Sequence, residues 1–203
     1  MNLSAVILAG GESRRMGRDK AWLELDGQPL ITLAMEKIRQ LGIEEIFISG
    51  RFGEDYSALK CSVLYDLKPG FGPLGGIERA LCECTSPMLL VLAVDLPHIT
   101  TGCLQKLAAQ CEPLTGVVPQ RNDRLEPLAA IYPKRCHALI RRFIAQSRLA
   151  ARDFAAACQC EQAVKIWSVP VEEAECFINW NQPSDLVQLG AKPKNLATGK
   201  TTL

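Results

Sequence analysis

The chain has 203 residues, enough to bury one sizeable core in a single domain. Hydrophobic residues make up 48% and charged residues 22%, and 23 Lys+Arg against 22 Asp+Glu leave a formal net charge of +1. Such a balance excludes any general attraction to nucleic acid or to an anionic membrane surface. No stretch reaches the ~20 apolar residues of a membrane span. The start of the chain has no basic region followed by a long apolar run, so it does not read as a secretory signal, and a cytoplasmic protein is expected.

The chain opens with an apolar run at 5–8 that predicts a buried strand. It breaks at Gly10-Gly11, where the backbone can approach a ligand closely, and continues through Ser13, Arg14, Arg15 and Gly17 to Asp19-Lys20. A strand opening into a glycine-rich basic loop can cradle phosphates, with backbone N–H groups turned inward and cations closing over them. A purely structural turn is the alternative on physical grounds. Neither the dinucleotide pattern G-x-G-x-x-G nor the P-loop pattern is present.

Residues 22–25 alternate and end in an Asp26-Gly27 turn. Leu30, Leu33, Ala34, Ile38 and Leu41 share one face of a helix stopped at Gly42. Strands are expected at 46–48 and 62–65. The stretch 66–76 is so rich in Gly and Pro that it is expected to be irregular, with a helix following at 77–84. The near-continuous apolar run at 88–94 predicts a central strand covered on both faces, ending at Asp95-Leu96-Pro97. A helix follows from about 99 to 111, with a hydroxyl available as N-cap. Strands at 116–118, 127–132 and 164–169 are expected, the first two separated by a polar stretch at 120–126. Helices are expected at 133–146 and 150–158. A short helix begins at 182–186, and residues 190–203 read as a mobile polar tail. The strand–helix alternation argues for a parallel sheet.

Nine cysteines are present, at 61, 82, 84, 103, 111, 136, 158, 160 and 176. They form only two C-x-C pairs, Cys82/Cys84 and Cys158/Cys160, and no C-x-x-C. They read as reduced thiols, many of them small core residues, and no zinc or iron–sulfur site is expected from their spacing.

Open parallel sheets place ligands beyond the carboxyl ends of their strands. Gly10, Ser49, Asp66 and Asp95 each follow an expected strand, so one cleft could hold all four. Lys20 and Arg15 could neutralise a polyphosphate there, or form a solvated basic loop in which Arg15 pairs with Glu12 or Asp19. Asp95 ends a buried strand, and a carboxylate there needs a partner or a cation. Magnesium accepts one or two carboxylates plus substrate phosphates. The rival role for Asp95 is to cap the helical turn near Pro97. Asp66, Asn179 and Asn181 are, taken alone, ordinary turn residues. His98 and His137 lie in no nucleophile pattern and read as structural, while Trp167 and Trp180 read as packing residues.

The stretch from Leu8 to Lys20 matches L-A-G-G-x-S-x-R-M-G-x-D-K, with ten of thirteen positions fixed. It resembles the signature of the molybdenum cofactor guanylyltransferases. The likeness continues through D-x-x-x-G-x-G-P-L-x-G-I from Asp66, Val91-Leu92-Ala93-Val94-Asp95-Leu96-Pro97 around Asp95, and N-x-N-x-P at Asn179 and Asn181, over about 180 residues. The resemblance implies an α/β fold: a single three-layer Rossmann-like nucleotidyltransferase domain at 1–189 with a mostly parallel central sheet. It implies transfer of GMP from GTP to molybdopterin, with Mg2+ as cofactor. It also implies molybdopterin-insertion proteins and molybdoenzyme apoproteins as candidate partners, and neither nucleic acid nor membrane. Carried over residue by residue, it makes Lys20 and Asp95 catalytic and Asp95 the metal ligand. Leu8, Ala9, Gly10, Gly11, Arg15, Asp66, Asn179 and Asn181 become binding residues. Ser49 departs from the family, which often has a nucleotide-contacting Asn there, and Ala93-Val94 stand where Pro-Cys is frequent. A cytidylyltransferase or another nucleotidyltransferase acting on a related phosphate acceptor remains an alternative. So does a non-catalytic module that binds nucleotide or carries the pterin.

Overall fold

The computed structural model describes residues 2–10, 20–65 and 70–180. The expectations for Gly11, Arg15, Asp66, Asn181, the short helix at 182–186 and the tail at 190–203 lie outside the described residues.

An eight-stranded sheet forms the middle layer. Its strands are β1 (Leu3–Leu8), β4 (Ile46–Gly50), β5 (Ser62–Tyr65), β6 (Met88–Ala93), β7 (Gly116–Arg121), β8 (Arg124–Leu125), β9 (Ala129–Pro133) and β10 (Val164–Ser168). Two further short strands, β2 (Glu24–Leu25) and β3 (Gln28–Pro29), form a separate hairpin. The main order is β10-β7-β9-β6-β1-β4-β5, with β8 folded back on β7. Strands β4, β1, β6 and β5 run parallel to their neighbours in that block, and β7 and β10 pair in parallel. β9 alone in this path runs antiparallel to both its neighbours. The carboxyl ends of β1, β4, β5, β6, β7 and β10 therefore share one edge, and β9 begins there.

Strand alternation divides the core into two halves. Ala5, Ile7, Ile46, Ile48, Leu90 and Leu92 face α1 (Leu30–Arg39) and α3 (Thr101–Ala109). Val6, Leu8, Phe47, Leu89 and Val91 face α2 (Pro73–Glu83), α4 (Cys136–Ala145) and α5 (Ala151–Cys160). β1 and β6 are buried almost throughout, which is why they read as continuous apolar runs rather than alternating ones.

Two expectations are corrected, and one unassigned stretch takes a defined structure. The glycine-rich stretch is not irregular to Gly76: α2 begins at Pro73, where the missing N–H costs nothing, and its N-cap Gly72 has φ 57 and ψ −150, a conformation open to glycine. Gly76 lies inside that helix because a Cβ there would stand 2.2 Å from Ser49 Oγ, so the glycine lets α2 settle on β4. The polar stretch 120–126 is a hairpin, closed by Asn122 and Asp123 at φ 47 and φ 60, values these two residue types tolerate. The strand expected at 127–132 starts at Ala129 instead. Pro127 has no N–H for a sheet ladder, and the Leu128 carbonyl is taken by Ala93 N–H at 2.7 Å. No helix among the described residues is long and apolar enough to cross a membrane.

Candidate active site

A cleft of about 500 Å³ opens at the carboxyl edge of β1, β4 and β6. Its wall includes Leu8, Ala9, Gly10, Lys20, Ser49 and Asp95. Three of the four positions expected to converge, Gly10, Ser49 and Asp95, thus meet there. The sheet sets them in register: Leu8 pairs with Ser49 on one side and Ala93 on the other. Ala9 N–H continues the ladder to Ser49 O at 2.9 Å, and Val94 N–H reaches Leu8 O at 3.2 Å. Among the described residues, a Cβ on Gly10 would meet nothing nearer than Ser49 O at 3.5 Å.

Lys20 starts a 3-10 turn, Lys20–Trp22, held by Leu23 N–H to Lys20 O at 3.1 Å. Ala21 is fully buried and Trp22 stacks on Tyr56 with ring centroids 5.9 Å apart, which anchors the turn beside the cleft. The Lys20 ammonium donates to the Trp180 carbonyl at 2.9 Å and stands 3.6 Å from Asp95 Oδ2. Trp180 N–H in turn donates to Asp95 O at 2.9 Å. Lys20, Asp95 and the backbone of Trp180 therefore form one connected unit beside the cleft. Burial pushes the Asp95 carboxyl above its ordinary value, and the Lys20 ammonium pulls it partly back. Asp95 does not cap α3; Thr100 does, its hydroxyl accepting from Cys103 N–H at 3.0 Å.

Two contributions escape a reading of the sequence. Trp180 acts through its main chain, and a backbone role has no residue-type signal. The N-terminus of α2 brings Gly72 and Pro73 to the cleft, so the positive end of an eleven-residue helix lies beside the space an anion would take. The Pro at N1 was a possible signal for it.

Asn179 does not line this cleft. It lines an adjoining hollow of about 280 Å³ that shares Ala93 and Leu128 with the cleft and also includes Glu126, Ala150 and Arg152. Arg152, which donates to Leu125 O at 3.3 Å, carried no motif in the sequence. Burial raises the Glu126 carboxyl, opposed by Arg121 at 3.4 Å. His98 packs edge-on against Trp180, and His137 bonds Glu78 at 2.8 Å.

The model of the MobA-like NTP transferase domain matches residues 5–163. A probable molybdenum cofactor guanylyltransferase of Opitutus terrae is 36% identical, covering 90% of this chain and 92% of its own length. A second, from Pelotomaculum thermopropionicum, is 33% identical over 100% of this chain and 99% of its own. Among solved structures, molybdopterin-guanine dinucleotide biosynthesis protein A from Archaeoglobus fulgidus superposes with a TM-score of 0.72, covering 92% of this chain and 96% of that one at 24% identity, which bears on the fold. From the span of the domain match and the identity along nearly the whole length of two relatives, the chain belongs to the MobA-like NTP transferases and, within them, to the molybdenum cofactor guanylyltransferase family.

Proposed function

We propose that this chain transfers GMP from GTP to molybdopterin in the cleft bounded by Gly10, Lys20 and Asp95, releasing pyrophosphate. The observation that carries the assignment of roles is the Lys20–Asp95 pair, 3.6 Å apart beside the glycine backbone that ends β1. The terminal phosphate of the pterin attacks the α-phosphorus of GTP, the bond to the bridging oxygen breaks, and pyrophosphate leaves. A phosphate nucleophile is ionised at neutral pH, so no strong general base is needed. Lys20 neutralises phosphate charge, and the Gly10 amide and the start of α2 orient it.

The residues present fit a magnesium ion. Asp95 is a largely buried carboxylate, the single one among the described residues that line the cleft, and its cation partner stands off at 3.6 Å. One carboxylate completed by substrate phosphates and water is an ordinary magnesium environment. Held by Asp95, the ion would supply charge stabilisation for the departing pyrophosphate. Lys20, released from Asp95, would turn to the phosphates.

The adjoining hollow is the place for the acceptor, with the Asn179 amide and the Arg152 guanidinium able to bond the pterin and its phosphate. Transfer of the product to insertion proteins and molybdoenzyme apoproteins belongs to the same reading. So does a cytoplasmic setting, where a reducing poise suits nine free cysteines. A pure pterin carrier has no use for a buried carboxylate opposite a cation, which speaks against the non-catalytic alternative. The test is pyrophosphate release from GTP, molybdopterin and Mg2+ by the purified chain. Release that requires all three supports the reading. Faster release with CTP than with GTP moves the chain to cytidylyl transfer, and none with either leaves only a binding role.

A further inference from the structure

On the face of the sheet covered by α1 and α3, a second group of chemistry-bearing side chains converges: Cys103, Glu173 and Cys176. Cys103 sits in the first turn of α3, and the other two lie in a 3-10 segment, Val171–Phe177. The two sulfurs and a carboxylate oxygen all fall within 4.8 Å of one another. Cys176 Sγ is 3.7 Å from Glu173 Oε2. Cys103 and Cys176 are 1% and 8% exposed, so the group is a largely buried cluster rather than a surface scatter. A tetrahedral zinc with Zn–S of about 2.3 Å and Zn–O of about 2.0 Å sets its ligand atoms about 3.5–3.8 Å apart, so the observed spacing needs little movement to close on an ion.

We propose that Cys103, Glu173 and Cys176 form a binding site for a thiophilic divalent cation of the zinc type, distinct from the magnesium position at Asp95. Binding is a proton exchange, not an oxidation. The cation takes two thiolates and one carboxylate, two thiol protons leave to solvent, and a fourth position is open to water. The resulting group carries one net negative charge. One lysine is placed to offset it: Lys106, which pairs with Glu173. The Lys106 side chain is 57% exposed, so it can swing out and open the way in.

The site has a geometric relation to the cleft. Cys103 follows Asp95 by eight residues, and Cys176 precedes Trp180 by four. An ion held there ties together the two segments that present Asp95 and the Trp180 backbone, which are already joined by the hydrogen bond from Trp180 N–H to Asp95 O. No spacing rule could have found it, since the two cysteines are brought together only by the packing of α3 on the 3-10 segment.

The experiment uses the full chain, reduced with a phosphine and stripped by chelator. It is titrated with Co2+, read by the visible bands of tetrahedral thiolate coordination, and with Zn2+ against a chromophoric chelator. One equivalent per chain is expected. Cys103→Ser and Cys176→Ser should weaken zinc by about 100-fold or more, beyond the 10–100-fold usual for losing only a supporting contact, and Glu173→Gln by at least about 10-fold. Glu173→Gln is the variant least able to disturb the core, and circular dichroism checks the fold of all three. Cys82→Ser and Cys160→Ser, at exposed thiols remote in sequence, should leave affinity unchanged. Lack of stoichiometric uptake by the wild-type chain, affinity untouched in folded Glu173→Gln and Cys176→Ser, or affinity lost instead with Cys82 or Cys160 would each overturn the site.

Discussion

Replacing Lys20 with Ala tests the centre of the proposed mechanism. The ammonium's partners include the Trp180 carbonyl at 2.9 Å and Asp95 at 3.6 Å, and the Lys20 and Asp95 side chains are 21% and 22% exposed. It is therefore held in a partly desolvated place, where a charge-assisted bond to phosphate is worth about 1.5–3 kcal/mol. That loss corresponds to roughly 10- to 100-fold weaker GTP binding. A second effect follows from the electrostatics. Burial already raises the Asp95 carboxyl, and Lys20 is what opposes it. Without the lysine, Asp95 holds its proton to higher pH. If turnover needs Asp95 ionised, activity falls on acidification, and in Lys20→Ala it falls at a higher pH than in the wild type. Calorimetry of GTP binding, with a turnover profile across the acid range, reads both effects. Lys20→Met, which keeps the apolar stem, should behave like Lys20→Ala. Wild-type GTP affinity in both variants, with the acid limb unmoved, refutes the assignment of Lys20 to the triphosphate.

Asp95→Asn should lower turnover by at least roughly 100-fold, the scale of losing one electrostatic contact to the transition state, while leaving GTP binding measurable without Mg2+. The same change should not lower the melting temperature at neutral pH. A carboxyl raised above its unfolded value makes the native state bind more protons than the unfolded one, so stability falls as pH rises from the unfolded to the folded pKa, and an uncharged Asn escapes that loss. A clear drop in melting temperature would show that Asp95 is chiefly a structural partner of Lys20. Gly76→Ala puts a Cβ 2.2 Å from Ser49 Oγ and 2.7 Å from its Cβ, and should destabilise the fold by about 1–3 kcal/mol in urea unfolding. Adding Ser49→Gly removes both clashing atoms and should recover most of the loss; no recovery would place the strain elsewhere. Competition calorimetry should rank GTP above CTP and ATP, and equal or tighter binding of CTP would contradict guanylyl transfer.

Much of the fold was legible because its signals are local. β1 and β6 announce themselves as apolar runs, since a central parallel strand is covered on both faces and needs no alternation. The convergence of Gly10, Ser49 and Asp95 followed from a general property of parallel sheets, that their strand ends share an edge. Elsewhere tertiary contact overruled local preference. Gly76 is a poor helix former, yet it sits near the start of α2 because the helix must lie close on Ser49. The polar stretch after β7 has no apolar face to mark it as a strand, and only pairing Gln120 with Leu125 and Arg121 with Arg124 makes it a hairpin.

The sequence by itself determined which residues carry charge at the ends of strands, and with them Lys20 and Asp95, because glycine, lysine and a strand-terminal aspartate signal their chemistry by type and position. Tertiary structure decided what those residues touch. It put the Trp180 main chain between Lys20 and Asp95, placed Asn179 in a neighbouring hollow instead of the cleft, and joined Cys103 to Cys176 across 73 positions. The physical reason is the same in each case: a backbone carbonyl, a shared wall or a pair of distant thiols has no period and no motif, and exists only once the helices have packed on the sheet.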